Sequence, residues 1–389
     1  MKKIGLCICF AVKNYGSMLQ AYATQQYIKK LGLDYEIIQY NKKHDLAFYI
    51  NSCLKLFNSN FRKEVFRRIA YEKSLKKNKN FKQKLNVRNL KFEEFQKSHF
   101  SKLSDVCSSY LQLQAKGKEL PAYLVGSDQL WLPAGLSTNF YNLNFTDESA
   151  VRISYATSFG VSKIPFYQKK RTAAFLQRMQ YLSVREQRGV EIVSNIAEKK
   201  AELVVDPTLL LTANEWASFI PKIENCYGDY IFVYFIGNNP EHRQAVIDLR
   251  NKTGLRVVAL THIDEFIASD EGLYDETPFD VGPSEFVNLI RNAKYVCTDS
   301  FHGSVFSIIH EKQFVIFDRF SDKSKNSTNA RICSLCSILG LTSRRYTEGA
   351  DIYEMEKEEI DYNEVKQKLN GIRKSSIEFL NCAFAGIKD

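Results

Sequence analysis

The sequence predicts an α/β protein of two domains, each a parallel sheet with crossover helices. Three observations carry this expectation. A chain of 389 residues exceeds one ordinary hydrophobic core. Short apolar runs alternate with helical periodicities along most of its length, as buried parallel strands and their crossover helices do. Successive strands also end in small polar residues, the way open α/β sheets collect ligand groups along one edge.

Ile4 to Val12 reads as the first buried strand. Lys13-Asn14-Tyr15-Gly16-Ser17 then turns into a helix whose apolar face is Leu19, Ala23, Tyr27 and Leu31, closed by Gly32. Tyr35 to Tyr40 is the second strand. The turn lacks GxGxxG, which argues against a dinucleotide. Asn14 is placed to orient a hydroxyl and Gly16 to admit a ligand near the backbone; a plain turn explains both equally well.

From His44 to about Gly117 the alternation stops, and a basic amphipathic insertion is expected. Phe57, Phe61, Val65, Phe66 and Ile69 recur at helical spacing among Arg62, Lys63, Arg67 and Arg68. The row Asn51 to Phe100 holds 14 basic and 4 acidic residues, so the remaining 339 carry 40 of each and the chain's +10 belongs to this segment. A solvated helical lid and a patch for an anionic membrane surface are both open readings, each basic residue near such a surface adding roughly 1 kcal/mol. No nucleic-acid module is recognisable, so nucleic acid is not expected as a partner.

The alternation resumes at Ala122 to Val125, which runs into Gly126-Ser127-Asp128-Gln129-Leu130-Trp131. Arg152 to Ala156 is a strand ending in Thr157-Ser158-Phe159-Gly160, followed by a helix from about Pro165 to Gln180. Tyr181 to Val184 is a strand that delivers Arg185-Glu186, and Ala201 to Val205 leads to Asp206-Pro207. Asp206, ahead of a proline, is expected to fix the interdomain turn. Trp131 is read as core packing rather than a sugar platform.

The first domain is placed at 1–220 and the second at 228–350, with a helical tail over 351–389 that packs back on the first. In the second domain Tyr230 to Ile236, Arg256 to Leu260, Tyr295 to Cys297 and Phe314 to Phe317 are strands, joined by helices over Glu241 to Thr253, Glu285 to Asn292 and Gly303 to Glu311. The third of these strands ends in Thr298-Asp299-Ser300-Phe301-His302-Gly303, a strand–turn–helix junction that presents an imidazole beside free N–H donors.

Nine cysteines without regular spacing argue against a disulfide framework and for a reducing compartment. Cys333 and Cys336 form a lone CxxC, expected on a buried helical stripe. Met1-Lys2-Lys3 and the apolar run behind it resemble half a signal peptide, but no cleavage pattern follows. No uncharged stretch is long enough to cross a bilayer. The chain is therefore expected in the cytoplasm, peripheral to the inner face of the membrane if the basic segment binds it. No grouping of carboxylates or His at ligand spacing is seen, and no metal or cofactor is expected.

Five motifs in order, Asn14-Tyr15-Gly16 with Leu19-Gln20-Ala21, Val125 to Trp131, Ser183-Val184-Arg185-Glu186, Val205-Asp206-Pro207 and Asp299 to Gly303, resemble the series of the polysaccharide pyruvyl transferase family. The resemblance implies two Rossmann-like domains facing a cleft, as in the glycosyltransferase-B (GT-B) architecture, with acceptor bound by the first and donor by the second. It implies transfer of pyruvate from phosphoenolpyruvate to two sugar hydroxyls, giving a ketal and phosphate. The acceptor is expected to be a cell-envelope or capsular precursor, often lipid-linked. His302 is then the expected general acid and Asp128 the base or orienting group for a hydroxyl. Arg185 is the expected anion clamp, with Asn14, Gly16, Ser127, Gln129, Ser300 and Gly303 as substrate contacts. Many relatives carry Arg two positions before the motif His, where this chain has Ser300. The missing charge is expected from Arg291, Arg319, Lys323 or, preferred, Arg331. A nucleotide-sugar-dependent glycosyltransferase and a non-catalytic glycan- or lipid-binding scaffold are the alternative readings.

Overall fold

The computed structural model describes residues 3–41, 71–73, 75–76, 78–133, 135–262, 266–319 and 329–388. The helical pattern expected over Phe57 to Ile69, and Lys323, lie outside them.

β1 (Lys3–Cys7), α1 (Tyr15–Lys30) and β2 (Asp34–Tyr40) form the first βαβ unit. The first strand stops at Cys7, earlier than its apolar run. Asn14 caps α1 by accepting from Ser17 N at 3.1 Å. α2 (Lys79–His99) follows, then β3 (Leu103–Cys107) and α3 (Tyr110–Lys116), which opens on a Ser109–Gln112 capping box. β3 corrects the expected insertion boundary of 44–117: regular βα structure resumes at Leu103. β3 is an edge strand with one covered face, so it carries no continuous apolar run to read.

β4 (Ala122–Val125) and β5 (Val151–Thr157) come next, then α4 (Lys169–Gln177) and β6 (Tyr181–Val184). α5 (Gln187–Ala197), β7 (Glu202–Leu203), α6 (Pro207–Leu210) and α7 (Ala213–Phe219) complete this half. The seven strands are parallel in the order β3-β2-β1-β4-β5-β6-β7. Its topological switch point lies between β1 and β4, and the first turn of α1, with Ser17, and the loop holding Asp128 open there.

The second half runs β8 (Tyr230–Tyr234), α8 (Pro240–Thr253), β9 (Arg256–Ala259), α9 (Pro283–Asn292), β10 (Tyr295–Thr298), α10 (Phe301–Ile309) and β11 (Gln313–Ile316). Its sheet is parallel with order β11-β10-β8-β9. The switch point here falls between β8 and β10, and the His302 turn leaves from it. Each half thus directs its switch-point loops toward the other.

Three elements join the halves. α2 buries Phe81, Leu85, Arg88, Phe92 and Phe95 along one stripe. Its first turns meet the second half, Phe81 lying 5.2 Å from Phe266, while Phe92 lies 4.8 Å from Tyr15 and Phe95 5.8 Å from Tyr22 of α1. This described part of the basic segment is an interdomain strap, which corrects the expectation of a solvated lid. Its lysines Lys79, Lys82, Lys84 and Lys97 face outward. Tyr15 stacks on Phe286 of α9 at 4.7 Å and donates to Val281 O at 2.9 Å. After α11 (Ala330–Leu339) and α12 (Ile352–Lys357), the tail α13 (Tyr362–Lys388) lies across the first half. There Ser376 Oγ accepts from Val205 N at 3.0 Å and Arg373 Nε donates to Leu209 O at 2.8 Å. Cys336 is buried on α11 and Cys333 half-buried.

Candidate active site

Where the two switch points meet, polar groups from six segments converge. Asp206, fully buried, is the hub. Its Oδ2 accepts from Arg185 Nη1 at 2.8 Å, stands 2.9 Å from the Ser127 hydroxyl and lies 3.7 Å from His302 Nε2. Its Oδ1 accepts from Thr208 N at 3.1 Å and from the Thr208 hydroxyl at 2.7 Å, which caps α6. Burial alone pushes this carboxyl up, but His302, Arg185 and Thr208 outweigh burial and hold it well below the usual carboxylate range. Asp206 was expected to do no more than fix a turn. It does cap that turn, and it also holds together the charged centre.

Asp128 sits beside it at φ 72°, a left-handed conformation that Asp tolerates better than most residues. Its Oδ2 accepts from the Ser17 hydroxyl, and its Oδ1 accepts from Gln129 N at 2.8 Å and Arg185 Nη2 at 3.3 Å. Burial raises the Asp128 carboxyl; Arg185, His302, Ser17 and Arg331 pull it below its ordinary value. A carboxylate so held is a weak proton acceptor and a good hydrogen-bond acceptor. Arg185, between the two aspartates, is drawn further up by them against the opposing effect of burial.

His302 lies in the first turn of α10 with its side chain nearly buried, and its Nε2 has no hydrogen-bond partner among the described residues. A Cβ built on Gly16 would fall 2.0 Å from His302 Nδ1, so the glycine at the start of α1 is what lets this imidazole enter. Gly16→Ala is therefore expected to lower the melting temperature. In a His302→Ala background that penalty should vanish; a calorimetric double-mutant cycle showing additive losses would refute the contact.

Two cations complete the centre. The Arg185 and Arg331 guanidiniums lie 4.7 and 5.7 Å from the centroid of the Phe301 ring. Arg331 Nε is buried and has no hydrogen-bond partner among the described residues. Burial, with Arg185 and Arg319 adding to it, pushes Arg331 down to about 9, well below the ordinary guanidinium range. Arg319 reaches toward the Asp299 carboxylate, its Nε 3.9 Å from Oδ2.

Other expected contacts serve the framework. The Asn14 side chain caps α1, and Ser300 caps α10 by accepting from Gly303 N at 3.3 Å. The Gly303 N–H is thus taken, and a Cβ there would meet Thr298 Oγ1 at 2.5 Å, so this glycine serves helix–strand packing rather than a bound phosphate. Asp299 accepts from Ile236 N and Gly237 N, each at 2.7 Å, and fixes the loop after β8. Arg291 donates to Ile220 O and Asn288 Oδ1, both at 3.1 Å, which holds its guanidinium at the end of α9 and outside this cluster. Gln129 retains a buried, unpartnered Nε2. Trp131 is fully buried against Phe159 and Phe175.

Sequence reasoning passed over Ser17, Gln20 and Phe301. Gln20 is fully buried and accepts from Ser127 N at 2.9 Å. Its sequence signal is a polar residue one step from the apolar stripe of α1. Phe301 carried no signal, because a phenylalanine between two polar motif residues reads as core.

Two parallel α/β halves with their switch points opposed, and a buried centre of two carboxylates, guanidiniums and an imidazole, define a GT-B-like two-domain protein with a charged interdomain site. The chain belongs to the polysaccharide pyruvyl transferase family, whose sequence model matches residues 14–321. Among solved structures it is similar to a UDP-N-acetylglucosamine 2-epimerase (TM-score 0.54, 10% identity, covering 100% of this chain and 96% of that one). It is also similar to S. aureus MnaA solved with UDP (TM-score 0.51, 11% identity, 100% and 97% covered). At such identities these likenesses speak for the fold alone. No curated protein sequence matches the chain significantly.

Proposed function

We propose that this protein moves pyruvate from phosphoenolpyruvate onto two hydroxyls of a sugar in a cell-envelope or capsular polysaccharide precursor. The observation that carries the reading is the buried His302 imidazole, its Nε2 3.7 Å from Asp206 and without a hydrogen bond among the described residues, in a centre that also holds Arg185 and the hydrogen-bond-accepting Asp128 carboxylate. His302 gives a proton to the methylene carbon of the enol as a sugar hydroxyl adds to the neighbouring carbon, and the imidazole takes up the proton that this hydroxyl loses. The C–O bond to phosphate then breaks, the second hydroxyl adds to the same carbon, and its proton leaves with the phosphate. Asp128 orients the hydroxyl by accepting its hydrogen bond. Arg185 and Arg331 take the donor's carboxylate and phosphate, and Arg331 supplies the charge that Ser300 lacks.

The test is a pair of thermal titrations. Phosphoenolpyruvate should raise the melting temperature and UDP should not; the reverse result replaces this reading with a nucleotide-sugar glycosyltransferase. Arg331→Met should abolish the phosphoenolpyruvate shift while raising the basal melting temperature. A base whose value is depressed by folding costs stability in its charged form, and methionine removes that cost at neutral pH. A variant that is less stable yet still responds to phosphoenolpyruvate sinks the assignment.

A lipid-linked acceptor on the cytoplasmic face of the membrane would require surface contact. Among the described residues no helix is long and apolar enough to cross a membrane. The support lies in Phe166 and Tyr167, 89% and 76% exposed, next to exposed Lys163, Lys169 and Lys170 in a stretch from Val161 to Arg185 without a single acid. The protein should sediment with vesicles of phosphatidylcholine and phosphatidylglycerol at low salt, less at high salt, and less after Phe166→Ser with Tyr167→Ser. Equal recovery on pure phosphatidylcholine counts against it.

A further inference from the structure

We propose that a cavity of about 200 Å³ between α2 and the segment after β9 is a subsite for a second, neutral sugar ring of the acceptor. This deepens the function proposed above and rests on it. Three phenyl rings, Phe81, Phe266 and Phe279, stand together on its lining, with Phe81 5.2 Å from Phe266 and 6.3 Å from Phe279. Thr261 Oγ1 and His262 Nδ1, also on the lining, are buried and have no hydrogen-bond partner among the described residues. Leaving such buried groups unpaired is costly, and a ligand that pairs them recovers that cost. Apolar ring faces combined with unmet hydroxyl and imidazole groups match a pyranose, which has C–H faces and an equator of hydroxyls. The cavity has room for a pyranose ring.

The cavity is walled in part by the second half, the side that the resemblance gives to the donor, and it is its spacing from the His302 turn that points to a further acceptor ring as the occupant. β9, which leads to His262, is two places from β10 in the sheet, so the two strand ends stand about 10 Å apart at the usual strand spacing. That is the reach of two linked rings. The His262 imidazole is hydrogen-bonded to Ile236 O, and Ile236 N donates to Asp299 Oδ1 at 2.7 Å, so the wall of the cavity and the His302 turn are tied in one register. Arg88 of α2 donates to Thr261 O at 2.7 Å and Pro278 O at 2.8 Å, which clamps the cavity's two sides without a ligand. Asp270 on its lining is already paired with Arg243, and Lys84 lies 5.3 Å from the Phe279 centroid. The buried groups left without a hydrogen bond among the described residues, Thr261 Oγ1 and His262 Nδ1, suit a hydroxyl, while the charged Lys84 and Glu271 of the lining are exposed at its edge.

Saturation-transfer NMR with methyl galactoside, methyl mannoside and β-linked disaccharides of each tests this. Transfer to the second ring of a disaccharide is expected with the wild-type protein and with His302→Ala. It should be lost in Phe266→Ala and in the near-isosteric Thr261→Val. In turnover, those two variants should raise KM for the disaccharide about tenfold, the equivalent of one lost contact of 1.4 kcal/mol, and leave kcat and KM for phosphoenolpyruvate unchanged. Equal transfer in wild type and both variants, or no transfer from any sugar to the wild type, overturns the subsite. If disaccharides bind as expected but phosphoenolpyruvate neither binds nor reacts, the subsite stands and the donor assignment falls.

Discussion

His302→Ala is expected to slow phosphate release from phosphoenolpyruvate by about 10²–10⁴-fold, the range of a lost general acid. The melting temperature should change little. His302 Nε2 makes no hydrogen bond, and its 3.7 Å contact with Asp206 is one of several that the carboxylate has. With the imidazole gone, Asp206 still pairs with Arg185 and accepts from Thr208, so no buried charge is stranded. His302→Gln, which fills the space beside Gly16 without an imidazole to give the proton, should be as slow as the alanine variant. Stopped-time phosphate assays beside calorimetry decide the matter: normal turnover in either variant removes His302 from the chemistry.

Asp206→Ala is expected to be the most damaging single change to the fold among the site residues. It leaves Arg185, whose side chain is fully buried, without its 2.8 Å partner, and breaking such a pair costs about 3–5 kcal/mol. It also uncaps α6 and leaves the Ser127 hydroxyl only Ala156 O to donate to. Turnover should fall with stability, because Arg185 loses its 2.8 Å partner and His302 its 3.7 Å contact. The pH dependence carries a sign. A carboxyl held below its unfolded value stabilises the fold above the unfolded carboxylate range, near 3.9, and that contribution fades only as pH falls toward the folded value. The gap in melting temperature between wild type and Asp206→Asn should therefore be constant near neutrality and narrow below about pH 4. A gap that widens on acidification would mean that Asp206 is not the ionised partner of Arg185. Measuring Asp206→Asn beside Arg185→Met separates loss of the pair from loss of one member.

The alternation of strands and helices was legible because parallel strands buried on both faces read as unbroken apolar runs: Ala122 to Val125 and Tyr181 to Val184 appear in the sheet at their expected bounds. β3 was not legible, since an edge strand needs only one apolar face. The strap α2 was legible as an amphipathic helix but not as a joint, because periodicity tells which face is buried and never against what.

Within the site, local sequence marked His302, Asp128 and Arg185 as polar residues at strand ends, and all three meet. It could not show that Asp206 lies between Arg185 and His302, or that Gly16 is glycine on account of an imidazole more than 280 residues away in the chain. Residue type and spacing report the backbone's local geometry and which groups carry charge. Partnership depends on distances set by the packing of two sheets, α2 and α13, and those long-range contacts leave no periodic trace in one chain. Ser300 and Gly303, read as substrate contacts, show the same limit from the other side: the hydrogen bond that closes the first turn of α10 takes up both groups, a use that only the folded turn makes visible.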